Sequence, residues 1–154
     1  GKAPTEVEAP TEVEAPTEGK APADDGKADA GTKPSGKTES TDSLIDRGCR
    51  LVESGDAGEG LDVLRKAKAR RANDLDLLVC IGKGLAKQGR TRDALESYED
   101  ALRVSPRFAE ALQSAARAAD KLGETDKAVR YYRRLLAERP GDSKALAYVE
   151  AHGK

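Results

Sequence analysis

Residues Gly31–Thr38 read Gly-Thr-Lys-Pro-Ser-Gly-Lys-Thr, which fits the phosphate-loop pattern G-x4-G-K-[ST] letter for letter. A working loop leaves a buried strand and opens a helix, so that its backbone N–H groups cradle phosphate. The residues before it, Ala21–Ala30, are polar with no strand pattern, and no later run resembles a strand bearing a magnesium-coordinating Asp. The match is therefore expected to be a coincidence of a Gly/Lys/Ser/Thr-rich segment. Nucleotide binding through Lys37 stands as the rival reading, and heat on adding ATP would decide it. The other reactive side chains are sparse. His152 is the only histidine and lies near the end of the sequence, so no Ser/His/Asp or Cys/His arrangement can be built around it. Cys49 and Cys80 are the only cysteines, too few for a disulfide scaffold and without a metal-ligand pattern around them. The expectation is a protein with no catalytic residues, no metal and no cofactor.

Composition divides the chain. Residues 1–40 hold five of the seven prolines, no aromatic residue and only two large aliphatics, Val7 and Val13. They carry five Lys against nine Asp or Glu, whereas residues 41–154 carry 22 basic and 19 acidic side chains. Residues 3–18 are a hexapeptide array, Ala-Pro-Thr-Glu-Val-Glu twice and then Ala-Pro-Thr-Glu. Regular proline blocks helix and strand, and the glutamates repel one another. Too little apolar surface is present to offset ordering entropy. Residues 1–40 are accordingly expected to be a disordered acidic linker, either an inert spacer or an acidic ligand for a partner or for its own domain. No run is long enough to span a membrane, and no signal-peptide core is present. A cytoplasmic location is expected, with a periplasmic or membrane-tethered one as the alternative. The absence of Met and Trp, with abundant Ala, Arg, Gly and Asp, suggests a bacterium of high genomic GC content.

The elements are set by a period of 34 residues. Ala94, Tyr98 and Pro106 return as Ala128, Tyr132 and Pro140, and Leu44, Leu78, Leu112 and Leu146 keep the same step. Such a period signals a stacked repeat. The pattern predicts seven helices: hairpins over 42–54 and 57–71, 75–88 and 91–105, and 109–122 and 125–138, then a short helix over 143–151. Gly55, Gly89 and Gly123 stand where each first helix must end. Asp42 and Ser43 are expected to cap the first helix, and Thr91 and Thr125 the fourth and sixth. Small residues at 48, 82 and 116 and at 60, 94 and 128 let paired helices approach, with Leu51, Leu64, Leu78, Leu85, Tyr98, Leu112 and Tyr132 filling the spaces between.

These residues resemble the tetratricopeptide repeat family. The second repeat carries Leu78, Ile81, Gly82, Leu85, Ala94, Tyr98, Ala101 and Pro106; the third carries Leu112, Ala115, Ala116, Ala119, Ala128, Tyr132, Leu135 and Pro140. The first departs from the pattern at Arg47, Gly60 and Ala72, as terminal repeats often do. The resemblance implies an all-α solenoid of three repeats (41–74, 75–108, 109–142) plus a capping helix, with the first helices lining a concave groove. Carried over position by position, the groove would include Ile45, Cys49, Val52, Val79 and Cys80 as an apolar part. Lys83, Lys87, Arg117 and Lys121 would form a basic stripe, with Gln113 beside them. The rival reading makes the lysines a solvated face and packs the apolar residues against the neighbouring hairpin. Cys49 and Cys80 would face the groove from adjacent helices. The expected reading there is a pair of small packing residues, because helix spacing of roughly 8–10 Å argues against a relaxed disulfide; a redox-sensitive pair is the alternative.

In this family the best-known groove grips the acidic C-terminal tail of Hsp70 or Hsp90 through Lys, Asn and Arg side chains. The matching positions here are Ile45, Cys49, Cys80, Glu110 and Ser114, so that activity is not expected. The expected function is a non-catalytic adaptor that holds a protein or peptide with an apolar anchor and acidic flanks. The alternative is a self-assembly or stacking module of a larger protein, with a homo-oligomer as one outcome. The basic run Arg65, Lys66, Lys68, Arg70 and Arg71 is expected to be a solvated helix end. With so few aromatics for stacking, neither nucleic-acid binding nor direct membrane contact is expected.

Overall fold

The computed structural model describes residues 38–154. The tail assigned to residues 1–40 and the phosphate-loop match lie, apart from residues 38–40, outside the described residues. Seven helices follow: α1 (Thr41–Ser54), α2 (Ala57–Arg70), α3 (Leu75–Lys87), α4 (Thr91–Val104), α5 (Ala109–Lys121), α6 (Thr125–Glu138) and α7 (Ser143–His152). No strand occurs among the described residues. The starts of α1, α3, α5 and α7 are spaced by the sequence period, as are those of α2, α4 and α6. α1 pairs with α2, α3 with α4 and α5 with α6, and α7 closes the stack on α6. Consecutive first helices also touch, α1 with α3 and α3 with α5. Among the described residues no helix is long and apolar enough to cross a membrane.

Each hairpin turns on a glycine with positive φ: 109° at Gly55, 80° at Gly89 and 78° at Gly123. The next N–H then reaches back to close the helix end. Asp56 donates to the Leu51 carbonyl at 2.8 Å, Arg90 to Leu85 at 2.9 Å and Glu124 to Ala119 at 2.9 Å. The N-termini depart from the sequence reading. Ser40, not Asp42 or Ser43, caps α1, its hydroxyl accepting from the Ser43 N–H at 3.1 Å. Thr91 and Thr125 stand one residue inside their helices, behind Arg90 and Glu124, and α4 and α6 have no side-chain cap. Asp74 and Asp142 cap α3 and α7.

The core is one continuous apolar cluster through the stack, with Leu64, Leu77, Leu112 and Leu135 fully buried. Within hairpins the helices meet at small residues. A Cβ on Gly48 would lie 2.5 Å from Leu64 Cγ, and one on Gly82 would run into the Tyr98 ring. The second and third hairpins are tied by polar contacts that run from α4 and the turn after it to α6. Glu99 accepts from the Tyr131 hydroxyl at 2.6 Å and from Lys127 Nζ at 3.2 Å, and Arg107 meets Glu138 at 2.7 Å. The basic run at the end of α2 is largely engaged. Arg65 pairs with Asp62, Arg71 with Asp42 and Asp74, and Arg70 donates to the Glu39 carbonyl. His152 lies in the last turn of α7 with its ring against Tyr148, centroids 4.5 Å apart.

Candidate functional site

A cleft of about 290 Å³ lies along the first helices. Val52 and Glu53 of α1 form one edge. Lys83, Ala86 and Lys87 of α3 and Thr91 and Tyr98 of α4 form the middle. Ser114, Arg117, Ala118 and Lys121 of α5 form the far side. These positions share a face because residues three and four apart on a helix project to the same side. The floor is apolar (Val52, Ala86, Tyr98 and Ala118), and the rim is charged.

The four rim cations differ in what already holds them. Lys83 is paired with Glu110, Nζ to Oε1 2.5 Å. Lys87 Nζ donates to the carbonyls of Val52 at 2.7 Å and Glu53 at 3.3 Å. Those carbonyls lie in the last turn of α1, where the helix dipole favours a cation. Arg117 and Lys121 form no ion pair among the described residues and are exposed. Two cations are thus spent on the fold and two are open to a ligand. Tyr98 sits at the join of floor and rim. Burial pushes its hydroxyl up to about 12, against the opposing influence of Ser114 and Arg117 beside it. It therefore presents a neutral O–H at physiological pH.

Five of the ten residues expected in the groove line this cleft: Val52, Lys83, Lys87, Arg117 and Lys121. Ile45, Val79 and Cys80 instead lie in the core, 6 %, 2 % and 9 % exposed, at the meeting of α1 and α3. Cys49 and Gln113 are half-buried and are not among the lining residues. Sequence reading did not assign Ala86, Thr91, Tyr98 or Ala118 to the groove. Ala86 stands three residues after Lys83, and Ala118 three before Lys121, so helical spacing held the signal for both. The repeat period predicts that Tyr98 fills the hairpin; its ring does so against Gly82 while also flooring the cleft.

Cys49 and Cys80 correct the preferred sequence reading, a pair of small packing residues, and leave the alternative of a redox-sensitive pair standing. They form a disulfide between α1 and α3, with Cα atoms 5.4 Å apart. The expected obstacle confused the distance between helix axes with that between facing residues. Each Cα stands about 2.3 Å off its axis toward the partner, so axes roughly 8–10 Å apart bring facing Cα atoms to about 4–5 Å. That is within disulfide range. Among the described residues no cluster of three His, Cys, Asp or Glu could hold a metal.

Residues 81–143 match the family profile described as tetratricopeptide repeat. No curated protein sequence matches the chain. Several solved structures share the fold. The first tetratricopeptide domain of Spaghetti (RPAP3), solved bound to an HSP90 peptide, is 16 % identical with a TM-score of 0.69, over 73 % of this chain and 90 % of that one. MamA is 18 % identical with a TM-score of 0.69, over 75 % and 70 %. A tetratricopeptide repeat protein from Parabacteroides merdae is 30 % identical with a TM-score of 0.63, over 69 % of this chain but 43 % of its own length.

Proposed function

From the premise that the helical part of this chain is built of tetratricopeptide repeats, we propose that it is a non-catalytic interaction module. It holds a segment of a partner protein in the cleft between α1, α3 and α5. The carrying observation is the pairing of an apolar floor with two uncommitted cations, Arg117 and Lys121, beside Lys83, which Glu110 neutralises, and Lys87, which hydrogen bonds to backbone carbonyls hold in place. An apolar side chain of the partner would enter between Val52, Ala86 and Tyr98. Acidic side chains next to it would meet Arg117 and Lys121, which steer association and fix register.

The family's chaperone-tail grip is not supported as the mode here. Of the five positions that would clasp a terminal carboxylate, Ile45 is buried, Cys49 and Cys80 are joined to each other, and Glu110 carries the wrong charge. The favoured ligand is an internal acidic segment. The disulfide also favours an oxidising compartment, such as the periplasm, over the cytoplasm.

A fluorescein-labelled peptide, Glu-Glu-Leu-Glu-Glu with blocked ends, tests the reading by anisotropy. Arg117→Glu with Lys121→Glu should weaken its binding by roughly tenfold or more, about 1.4 kcal/mol, and replacing the central Leu by Gly should weaken it as well. Equal binding by the unaltered and charge-reversed proteins would remove the groove reading. Stacking between copies is the second reading, favoured by Leu146, which is 42 % exposed on the terminal helix. Sedimentation showing mass rising with concentration, and falling for Leu146→Glu, would select it.

A further inference from the structure

We propose that the Cys49–Cys80 disulfide braces the wall of the cleft, so that thiol reduction loosens α1 and weakens ligand binding. The link to binding rests on the groove reading above; the brace itself does not. One turn of α1 carries the argument. Cys49 is bonded to Cys80 of α3. Val52, three residues on, packs where α1 meets α3, and a Cβ on Gly84 would lie 3.1 Å from Val52 Cγ2. Val52 and Glu53 form the α1 edge of the cleft, and their carbonyls hold Lys87. The disulfide and the cleft edge therefore lie within about one turn of the same helix.

The first hairpin is also the one that most needs a covalent tie. α1 and α2 contain Gly48, Gly58 and Gly60 within their helices, and α3 contains Gly82 and Gly84, whereas α5 and α6 contain none. Interior glycines weaken a helix by leaving more backbone entropy to lose. Apart from Lys87, the polar side-chain tie from α1 to the second hairpin's side is the pair Asp42–Arg71 with Asp74 alongside, which is exposed and weak. Cys80 is buried and Cys49 half-buried, so the Cys49 side is the more open of the two approaches to the bond. On oxidation the two thiols give up two electrons and two protons to a disulfide reagent, which departs as two thiols. Dithiothreitol reverses the exchange and leaves as its cyclic disulfide.

The test is hydrogen exchange by mass spectrometry on the full chain, oxidised, dithiothreitol-reduced, and as Cys49→Ser/Cys80→Ser, with the Glu-Glu-Leu-Glu-Glu probe titrated into each. Amides of α1 should exchange roughly tenfold faster without the bond, while α5 and α6 keep their protection. Probe affinity should fall about fivefold or more. Unchanged exchange in α1 overturns the brace, as would two titratable thiols in the native oxidised chain. Faster exchange in α1 with undiminished probe binding overturns its link to the cleft. A probe that binds none of the forms removes the groove reading, and α1 exchange still decides the brace. Should the serine pair fail to fold, which lost protection in α5 and α6 would reveal, Cys49→Ala/Cys80→Ala replaces it.

Discussion

Gly60 stands where the second and third hairpins carry Ala94 and Ala128, both fully buried. Sequence alone would treat alanine as an improvement there, since it is the better helix former by about 1 kcal/mol. The packing reverses that. A Cβ on Gly60 would lie 2.8 Å from Val52 Cγ2 and 2.9 Å from the Gly48 carbonyl oxygen. Backbone cannot rotate aside, so α1 would have to move, and overpacking of this kind costs about 1–3 kcal/mol. Gly60→Ala is expected to lower unfolding free energy by up to about 2 kcal/mol in urea titration. Gly58→Ala on the same helix, whose nearest neighbour would be Gln88 Nε2 at 3.7 Å, should raise it by about 0.5–1 kcal/mol. If both substitutions stabilise, the close approach of α1 and α2 is not a constraint on residue 60. Period and residue type revealed that position 60 is small; only the crossing of the two backbones shows why it must be smaller than its counterparts.

At the scale of elements, α7 determines whether the stack ends cleanly. The Tyr148 ring packs on Tyr132 with centroids 4.7 Å apart, and its hydroxyl donates to Asp120 at 2.7 Å. Ala145 is fully buried against α6, and Arg133 donates to the Gly153 carbonyl at 2.6 Å. Ending the chain before Ser143 would uncover the apolar face around Tyr132 and Leu135. Because a solenoid's ends need a polar cap, the shortened chain should melt roughly 5–10 °C lower and associate in sedimentation equilibrium. An unchanged melting point would mean α7 closes nothing. The existence and extent of this helix were legible from Leu146 and the 34-residue step. Its side-chain ties to Asp120 and Arg133 were not, because they join residues remote in sequence.

Across the whole helical unit the tyrosines couple stability to alkaline pH. Burial pushes Tyr98 and Tyr148 up to about 12, Asp120 adding to the effect at Tyr148. Tyr131 is raised by burial and by its bond to Glu99, and Tyr132 by burial. An unfolded tyrosine ionises near 10. Between about pH 10 and 12 the unfolded chain therefore loses protons that the folded chain keeps. The tyrosine contribution is complete below that window and declines as pH rises through it. Lys127, held protonated chiefly by its bond to Glu99, acts with the same sign. Urea midpoints should fall steadily from pH 9.5 to 11.5, roughly spanning the unfolded tyrosine range, and Tyr131→Phe should flatten the fall. Midpoints that hold steady would show that these hydroxyls are not sequestered.

The sequence by itself determined the helices, their 34-residue step, the glycine turns and the all-α repeat architecture. These follow from local backbone preference and from periodicity, both written along one dimension. The family resemblance, and not the period itself, put Lys83, Lys87, Arg117 and Lys121 along one groove as an expectation. Tertiary structure decided which of them are committed: Glu110 lies 27 residues from Lys83, and the Val52 carbonyl 35 residues from Lys87. It likewise decided that Ile45, Val79 and Cys80 belong to the packing between hairpins, and that Cys49 and Cys80 are one bond. Those outcomes depend on distances between facing helix surfaces, which a repeat period does not encode.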